Sequence, residues 1–430
     1  MVYDIAIKDV ELTEPGDGTL FNIGINGSTI GYVGTDPVEG KTVLDGRDHL
    51  AVPGWVNAHT HVAMTLFRSY ADDMALMDWL QNRIWPLEAR LDGRAVYWGS
   101  LLGIGEMIRT GTTCFADMYF FMEETAKAAA DSGIRAVLSR GLTGSSPEDG
   151  AARLEENTQL YKTWNGAQNG RITVMFGPHA PYTCSPDYLK TVIARARELG
   201  AEIHMHLAET AGEVADCLKQ YGKSPIALME ELGMFEGGTL AAHCVHVDEA
   251  DQDILARHGV RVAHNPQSNL KLASGIAPVA SMLKKGITVG LGTDGPASNN
   301  QLNMFTEMGR AALLHKLAGH DPTLLPAARV LDMATLGGAA ALHDARLGSL
   351  EPGKAADCVA LDLSSPNLQP LYNVVSQTVY AATGLETRMT MVGGEILYQD
   401  GRFSRFDYDA LCREMSDLRS FVLRAAGLAG

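Results

Sequence analysis

Two histidines one residue apart, His59 and His61 in "NAHTHVAM", follow the apolar run "AVPGWV". Residues two apart on a β-strand project to the same face, so these imidazoles would point together, as two ligands of one ion must. Other chemistry-bearing residues close further β-rich runs: His206 and Glu209 in "HMHLAET", His243 in "AAHCVH" and Asp294 in "GLGTDG". Three imidazoles and one carboxylate drawn from this set would suit a divalent, zinc-like ion, with water completing its shell. Such an ion lowers the pKa of water towards about 7, which makes hydrolysis the natural chemistry. One histidine alone is more simply a packing residue. Their joint occurrence at strand ends is hard to explain by packing.

Positioning these groups requires several strands that end on one side. The middle of the chain offers eight β-rich runs: "VPGWVNAHTH", "TTCFADM", "RAVLSRGL", "ITVMFGPHA", "EIHMHLAE", "TLAAHCVHV", "RVAHNPQS" and "TVGLGTDG". Helical segments such as "SPDYLKTVIARARELG" intervene, with Ser or Asp near the start and Gly at the end, where caps belong. Alternation of this kind argues for parallel βα units. The expected fold class is α/β, a closed (β/α)8 barrel of the TIM type. An open doubly wound sheet is the alternative, disfavoured because the polar residues gather at the C-terminal ends of several different strands. Residues 1–52 read as short strands punctuated by Gly and Asp, and residues 348–430 return to that texture before a helical tail. Residues 53–347 are expected to form the barrel, and the two flanks one small β-sandwich domain.

A chain of 430 residues has room for a large core and a smaller one. Hydrophobic content of 46% with 20% charged residues excludes wholesale disorder. A formal net charge of −16 argues against nucleic acid or anionic lipid as a partner and leaves a small-molecule substrate. The N-terminus lacks a secretory pattern, and no run approaches the roughly 20 apolar residues that span a membrane. Six scattered cysteines without C-x-x-C suit free thiols in a reducing compartment, so a cytoplasmic protein is expected.

The motifs "PGWVNAHTH", "HMHLAET", "AAHCVH" and "GLGTDG", with the C-terminal "GSLEPGKAADCVALD", resemble the amidohydrolase superfamily over nearly the whole chain. Within it, "NAHTHVAMTLFRSYADDMALMDWLQNRIWPLEA" and "HNPQSNLKLASG" look like the branch of the 5′-methylthioadenosine/S-adenosylhomocysteine deaminases. The resemblance implies His59, His61, His206 and Asp294 as ligands of one divalent metal ion per subunit, zinc by default, with iron, manganese or nickel as alternatives. A second metal bridged by a carbamylated lysine is not expected, since the fourth run ends in His179 and offers no lysine. The implied reaction is hydrolytic deamination of an adenine ring to the inosyl product and ammonia. Asp294, assisted by His243, would take a proton from the attacking water, and Glu209 would donate one to ring nitrogen N1.

By the same resemblance, Glu88 in "IWPLEA" would bind ribose hydroxyls, His179 would contact the adenine and Trp85 would wall the pocket. Arg140 in "LSRGL" and Arg153 in "AARLEEN" would meet a homocysteine carboxylate, a contact that suits a guanidinium fork. Plainer readings compete: a helix-surface ion pair of Arg153 with Glu155 or Glu156, core packing for Trp85, a solvated helix face for Glu88. His264 on the seventh run is a further candidate for the pocket lining. Relatives in such families are often dimers or larger, so a homo-oligomer is compatible with the resemblance.

Two nucleotide-like strings carry no weight. "GLGTDG" fits G-x-G-x-x-G, but Asp294 would sit where a pyrophosphate needs amide donors. "GSLEPGKA" has Ala where a phosphate-binding loop needs Ser or Thr. The H-x-E…P-C-x-x-C signature of another zinc-deaminase fold is absent. The competing functions are a deaminase of guanine or another heterocycle, a triazine hydrolase on the same site, and a non-catalytic scaffold. Released ammonia, released halide and metal content separate them.

Overall fold

Strands from both ends of the chain meet in one sheet beside a barrel. The computed structural model describes residues 2–428; positions 1, 429 and 430, at the outer ends of the two expected flanks, lie outside the described residues. The N-terminal segment supplies β1 (Val2–Leu12), β2 (Leu20–Asn26), β3 (Thr29–Gly34), β4 (Glu39–Asp45) and β5 (His49–Pro53). The barrel follows with β6 (Trp55–Thr60), β7 (Thr112–Tyr119), β8 (Arg135–Leu142), β9 (Ile172–Val174), β10 (Gly177–Pro178), β11 (Ile203–Leu207), β12 (Thr239–His243), β13 (Arg261–His264) and β14 (Val289–Leu291). The C-terminal segment adds β15 (Cys358–Asp362), β16 (Thr387–Val392), β17 (Glu395–Gln399) and β18 (Arg402–Phe403).

The barrel strands are buried on both faces, which is why they read as nearly continuous apolar runs; every residue of β6 and β7 is buried. β6 to β8 pair in parallel, β9 and β10 both join β8, and β11 to β14 pair in parallel in turn. Backbone bonds close the ring at both seams. The His204 N–H donates to the Phe176 carbonyl (2.9 Å) and the His206 N–H to the His179 carbonyl (3.1 Å). Across the other seam the N–H groups of Thr293 and Asp294 both donate to the His59 carbonyl (3.1 and 3.0 Å). This is the expected (β/α)8 architecture. The helix Pro186–Leu199 shows the capping logic: Ser185 accepts from the Tyr188 N–H, and Gly200 closes the helix in the left-handed region.

Two runs differ from their reading as single strands. "ITVMFGPHA" is split into β9 and β10 because the Met175 N–H still bonds to Leu138 (2.9 Å) while the Phe176 N–H turns to Glu202, just before β11 (2.8 Å). "VPGWVNAHTH" is shared: its first residues end β5, which pairs with β15, and Trp55 begins β6.

The flanking strands form a nine-stranded sheet, ordered β18-β17-β16-β15-β5-β1-β2-β3 with β4 on β1, around a core that includes Ile7, Ile23, Ile25, Cys358 and Met391. A buried ion pair ties it to the barrel. Arg135 donates to Asp357 twice (2.8 and 2.9 Å), and Asp357 also accepts from the Gly393 N–H (2.7 Å). Removing one partner strands the other charge, so Asp357→Ala is expected to lower stability by about 3–5 kcal/mol, read as an earlier urea midpoint. Among the described residues, no helix is long and apolar enough to cross a membrane.

Candidate active site

The C-terminal ends of β6, β11 and β14 bring His59, His61, His206 and Asp294 together, one ligand atom from each lying within 4.8 Å of the others. Asp294 Oδ1 is 3.4 Å from His59 Nε2 and 3.2 Å from His61 Nε2. The tautomers are dictated from behind. His61 Nδ1 donates to the Met118 carbonyl (2.5 Å) and His206 Nδ1 to the His179 carbonyl (2.7 Å), so both Nε2 atoms turn lone pairs inward. Those two Nε2 atoms stand 3.2 Å apart, both aimed at the centre. His59 Nε2 is buried without a hydrogen-bond partner, a condition that costs roughly 1–3 kcal/mol. A divalent cation would satisfy that orphaned nitrogen and take the convergent Nε2 atoms as ligands, so the donor set fits one. The second carboxylate oxygen, Asp294 Oδ2, accepts from the hydroxyls of Ser268 (2.6 Å) and Ser298 (2.8 Å), which leaves Oδ1 facing the centre.

Glu209 and His243 flank this quartet. His243 Nε2 lies 3.9 Å from Glu209 Oε2, and His243 Nδ1 donates to the Asn269 side-chain oxygen (2.9 Å). Burial is the largest influence on Glu209 and raises its pKa. Strand alternation does not place His243 here: its register partner Leu207 packs outward against the helices, whereas His206 and its partner Ala242 face in. A left-handed backbone at His243 (φ 73°) turns the ring back to the centre, and Ala208 (φ 51°) and Asp294 (φ 57°) share that conformation. Non-glycine residues at positive φ are strained and persist only where their surroundings hold them.

At Ala208 the holder is Glu213, a residue the sequence reading missed. Its two oxygens accept from the N–H groups of Ala208 (2.8 Å) and Glu209 (2.9 Å). Glu213 also stands three residues after Thr210, the N-cap of helix Ala211–Tyr221, whose hydroxyl accepts from the Glu213 N–H. The capping-box spelling T-x-x-E was visible in the sequence; its grip on the preceding loop was not. Glu213→Ala is expected to retain metal while kcat falls roughly 10–100-fold from misplacement of Glu209, as steady-state kinetics would read.

The second and third glycines of "GLGTDG" serve close approach. A Cβ at Gly292 would fall 2.3 Å from Asn265 Oδ1 and 2.9 Å from the His59 backbone, and one at Gly295 2.8 Å from Met64 Sδ. The string lets the eighth strand press against the first.

A cavity opens over the quartet. Its outer wall comes from the segment between β6 and helix Gly93–Arg109, with Trp79, Leu80 and Ile84 buried and Trp85 half-buried. Trp85 therefore both walls the pocket and packs on the adjacent core. Glu88 lines the cavity beside Tyr119, and burial pushes its carboxyl up to about 7. His179 lines it too; its Nδ1 meets the Thr183 hydroxyl at 2.9 Å, and burial lowers its pKa to about 4.

The two arginines are placed differently. Arg140 donates to Glu156 (2.7 Å) and lies 5.2 Å over the Phe120 ring. Arg153 donates to the carbonyls of Thr143 (3.0 Å) and Asp149 (2.7 Å), and its acidic neighbour is Asp149 (3.8 Å) rather than Glu155 or Glu156. Gly141 and Thr143 line the cavity, but among the described residues no lysine or arginine does. His264 is a correction. Ala263 occupies the interior register, so the ring of His264 points outward and its Nε2 lies 3.2 Å from His315 Nε2 on helix Met304–Gly319.

A (β/α)8 barrel whose C-terminal rim gathers three imidazoles and a carboxylate defines a class, the barrel enzymes built on a metal-ion site. Residues 50–397 match the model of the amidohydrolase family. Curated relatives named 5-methylthioadenosine/S-adenosylhomocysteine deaminase include one from Desulfovibrio desulfuricans, 56% identical over 388 residues (88% of this chain, 87% of that protein). Another, from Caldanaerobacter subterraneus subsp. tengcongensis, is 45% identical over 428 residues (98% and 99%). Among solved structures, an adenosine deaminase from Xanthomonas campestris with bound zinc superposes with a TM-score of 0.93 at 35% identity, covering 98% of this chain and 99% of that one. The chain belongs to the amidohydrolase family, in the branch that holds the 5-methylthioadenosine/S-adenosylhomocysteine deaminases.

Proposed function

We infer that this chain is a metal-dependent hydrolytic deaminase of S-adenosylhomocysteine, 5′-methylthioadenosine or related adenosines, releasing ammonia and the inosyl product. The observation that carries the reading is that His61, His206 and Asp294, with His59 behind them completing the quartet, line one cavity together with the Glu209 carboxyl and the His243 imidazole. Relatives of that name at 56% and 45% identity support the substrate class.

A divalent ion held by the quartet, one per subunit and zinc by default, supplies Lewis acidity that brings the pKa of water towards about 7. The side chains handle protons and position. Asp294, through the oxygen left free by Ser268 and Ser298, takes the proton of the attacking water with His243 beside it. Glu209, kept protonated to higher pH by its burial, delivers a proton to N1 as charge builds on the purine. C6 becomes tetrahedral, and its amino group leaves as ammonia after gaining a proton. Glu88 receives the ribose hydroxyls, His179 contacts the base and Trp85 bounds the pocket, a reading supported by their shared place in the cavity lining. Arg140 and Arg153 reach a homocysteine carboxylate only by exchanging the partners they hold here. Six unpaired cysteines support a reducing, cytoplasmic setting.

The test is metal-loaded protein incubated separately with S-adenosylhomocysteine, 5′-methylthioadenosine, adenosine and guanine, following ultraviolet absorbance and released ammonia. Loss of adenine absorbance with matching ammonia is the expected result. Metal-loaded protein that leaves every adenine nucleoside unchanged sinks the reading.

A further inference from the structure

We propose that His204 is a positioning residue of the metal centre, fixing the tautomer and aim of His59 through a hydrogen bond that crosses the barrel. The proposal rests on the metal reading of the quartet and concerns its affinity for the ion, not the choice of substrate.

β11 stays regular to its end, so His204 and His206 project to the same interior face. His206 joins the quartet at the rim. His204 sits one layer deeper, buried, with its Nε2 2.8 Å from His59 Nδ1. β11 and β6 are the fifth and first strands of the eight-stranded ring, on opposite sides, so this contact spans the lumen.

The three imidazoles of the quartet are not held alike. His61 and His206 lean on backbone carbonyls, which no side-chain substitution removes. His59 leans on another side chain, and in that contact one nitrogen donates and the other accepts. Were His59 Nδ1 the acceptor, its hydrogen would sit on Nε2 and point at the centre, 3.4 Å from Asp294 Oδ1, where an ion must bind. With His59 Nδ1 donating, Nε2 is bare and the quartet is competent. His204 must then present a bare Nε2, with its own hydrogen on Nδ1. The geometry also fixes the ring: His59 stands edge-on to His204 (centroids 4.9 Å apart, planes at 87°) and to His206 (4.8 Å, 84°).

Partners behind a ligating histidine are worth roughly 10–100-fold in metal affinity. The experiment titrates zinc into the parent protein and the variants His204→Leu and His204→Gln, in competition with a fluorescent chelator. Leucine removes the acceptor and is expected to weaken zinc binding roughly 10–100-fold, with faster zinc loss to the chelator. Glutamine can still present an amide oxygen to His59 Nδ1–H and is expected to stay close to the parent. With zinc saturating, KM for a turned-over adenosine should match the parent in both variants. Zinc binding by His204→Leu as tight as the parent's overturns the proposal. So does His204→Gln as weak as His204→Leu, which would assign the loss to packing. Should the leucine variant fail to fold by circular dichroism, His204→Asn, too short to reach His59, takes its place with the same expectations. A parent that binds no zinc would instead sink the metal reading itself.

Discussion

Metal-loaded Glu209→Gln protein is expected to turn over roughly 10²–10⁴-fold more slowly than the parent, with KM and metal content little changed. The purine ring resists addition at C6 unless N1 gains a proton as charge develops, and an amide cannot supply it. The substitution is close to isosteric and leaves the loop intact, because Glu213 holds residue 209 by its backbone N–H rather than by its side chain. The contacts of the Glu209 carboxyl are modest, a 3.4 Å approach of the Ser274 hydroxyl and the 3.9 Å separation from His243. A neutral amide suits that buried position, so thermal stability should hold or rise. The pH dependence has a definite sign. Burial, the largest influence, raises the Glu209 pKa, and the neighbouring His243 works against it. A general acid works protonated, so kcat/KM should fall on the alkaline side as the carboxyl ionises. A glutamine variant within tenfold of the parent would remove Glu209 from the acid role.

Asp294→Asn is expected to abolish turnover, by at least about 10⁴-fold, and to lose the metal with it. Asparagine tolerates the left-handed backbone at this position (φ 57°), so strain does not confuse the result. Its oxygen would keep the bonds from Ser268 and Ser298, leaving the amide N–H2 to face the quartet in place of Asp294 Oδ1. A donor there repels a cation, and the proton acceptor for the attacking water is gone as well. Metal analysis of the purified variant and the ammonia assay check both arms. Chelation of the parent should reproduce the inactivity, and zinc should reverse it in the parent but not in the variant. An asparagine variant that holds metal tightly would argue that Asp294 serves only as a base.

Much of this centre was legible along the chain because strands and helices carry short periods. His204-x-His206 reveals its shared face through the two-residue repeat of a strand, which β11 honours to its last residue, whereas His59 and His61 come together where β6 breaks that repeat, its register shifting between Asn57 and Thr60 and His61 lying past the strand end. The eight β-rich runs, wholly buried in β6 and β7, and the Ser-to-Gly spelling of helix Pro186–Leu199 carry the barrel. Resemblance to a family then supplied the roles that spacing alone left open among four histidines and two carboxylates.

Tertiary structure decided the rest, since those outcomes depend on handedness and on distant partners rather than on local period. His243 faces the centre against its strand alternation because its backbone is left-handed, and nothing in "AAHCVH" announces that. His264, one residue past an inward Ala263, falls on the other side of the wall. Arg140 and Arg153 find Glu156, Asp149 and backbone carbonyls before they find a substrate. His59 and His204 lie 145 residues apart and meet only because the ring closes; Arg135 and Asp357, 222 apart, meet only where the sheet docks on the barrel. Residue type and spacing determined which groups could bind a metal and move protons. Closure of the barrel and the strained turns at its rim determined which of them face one another, because side-chain direction at a strand end is set by what packs behind it.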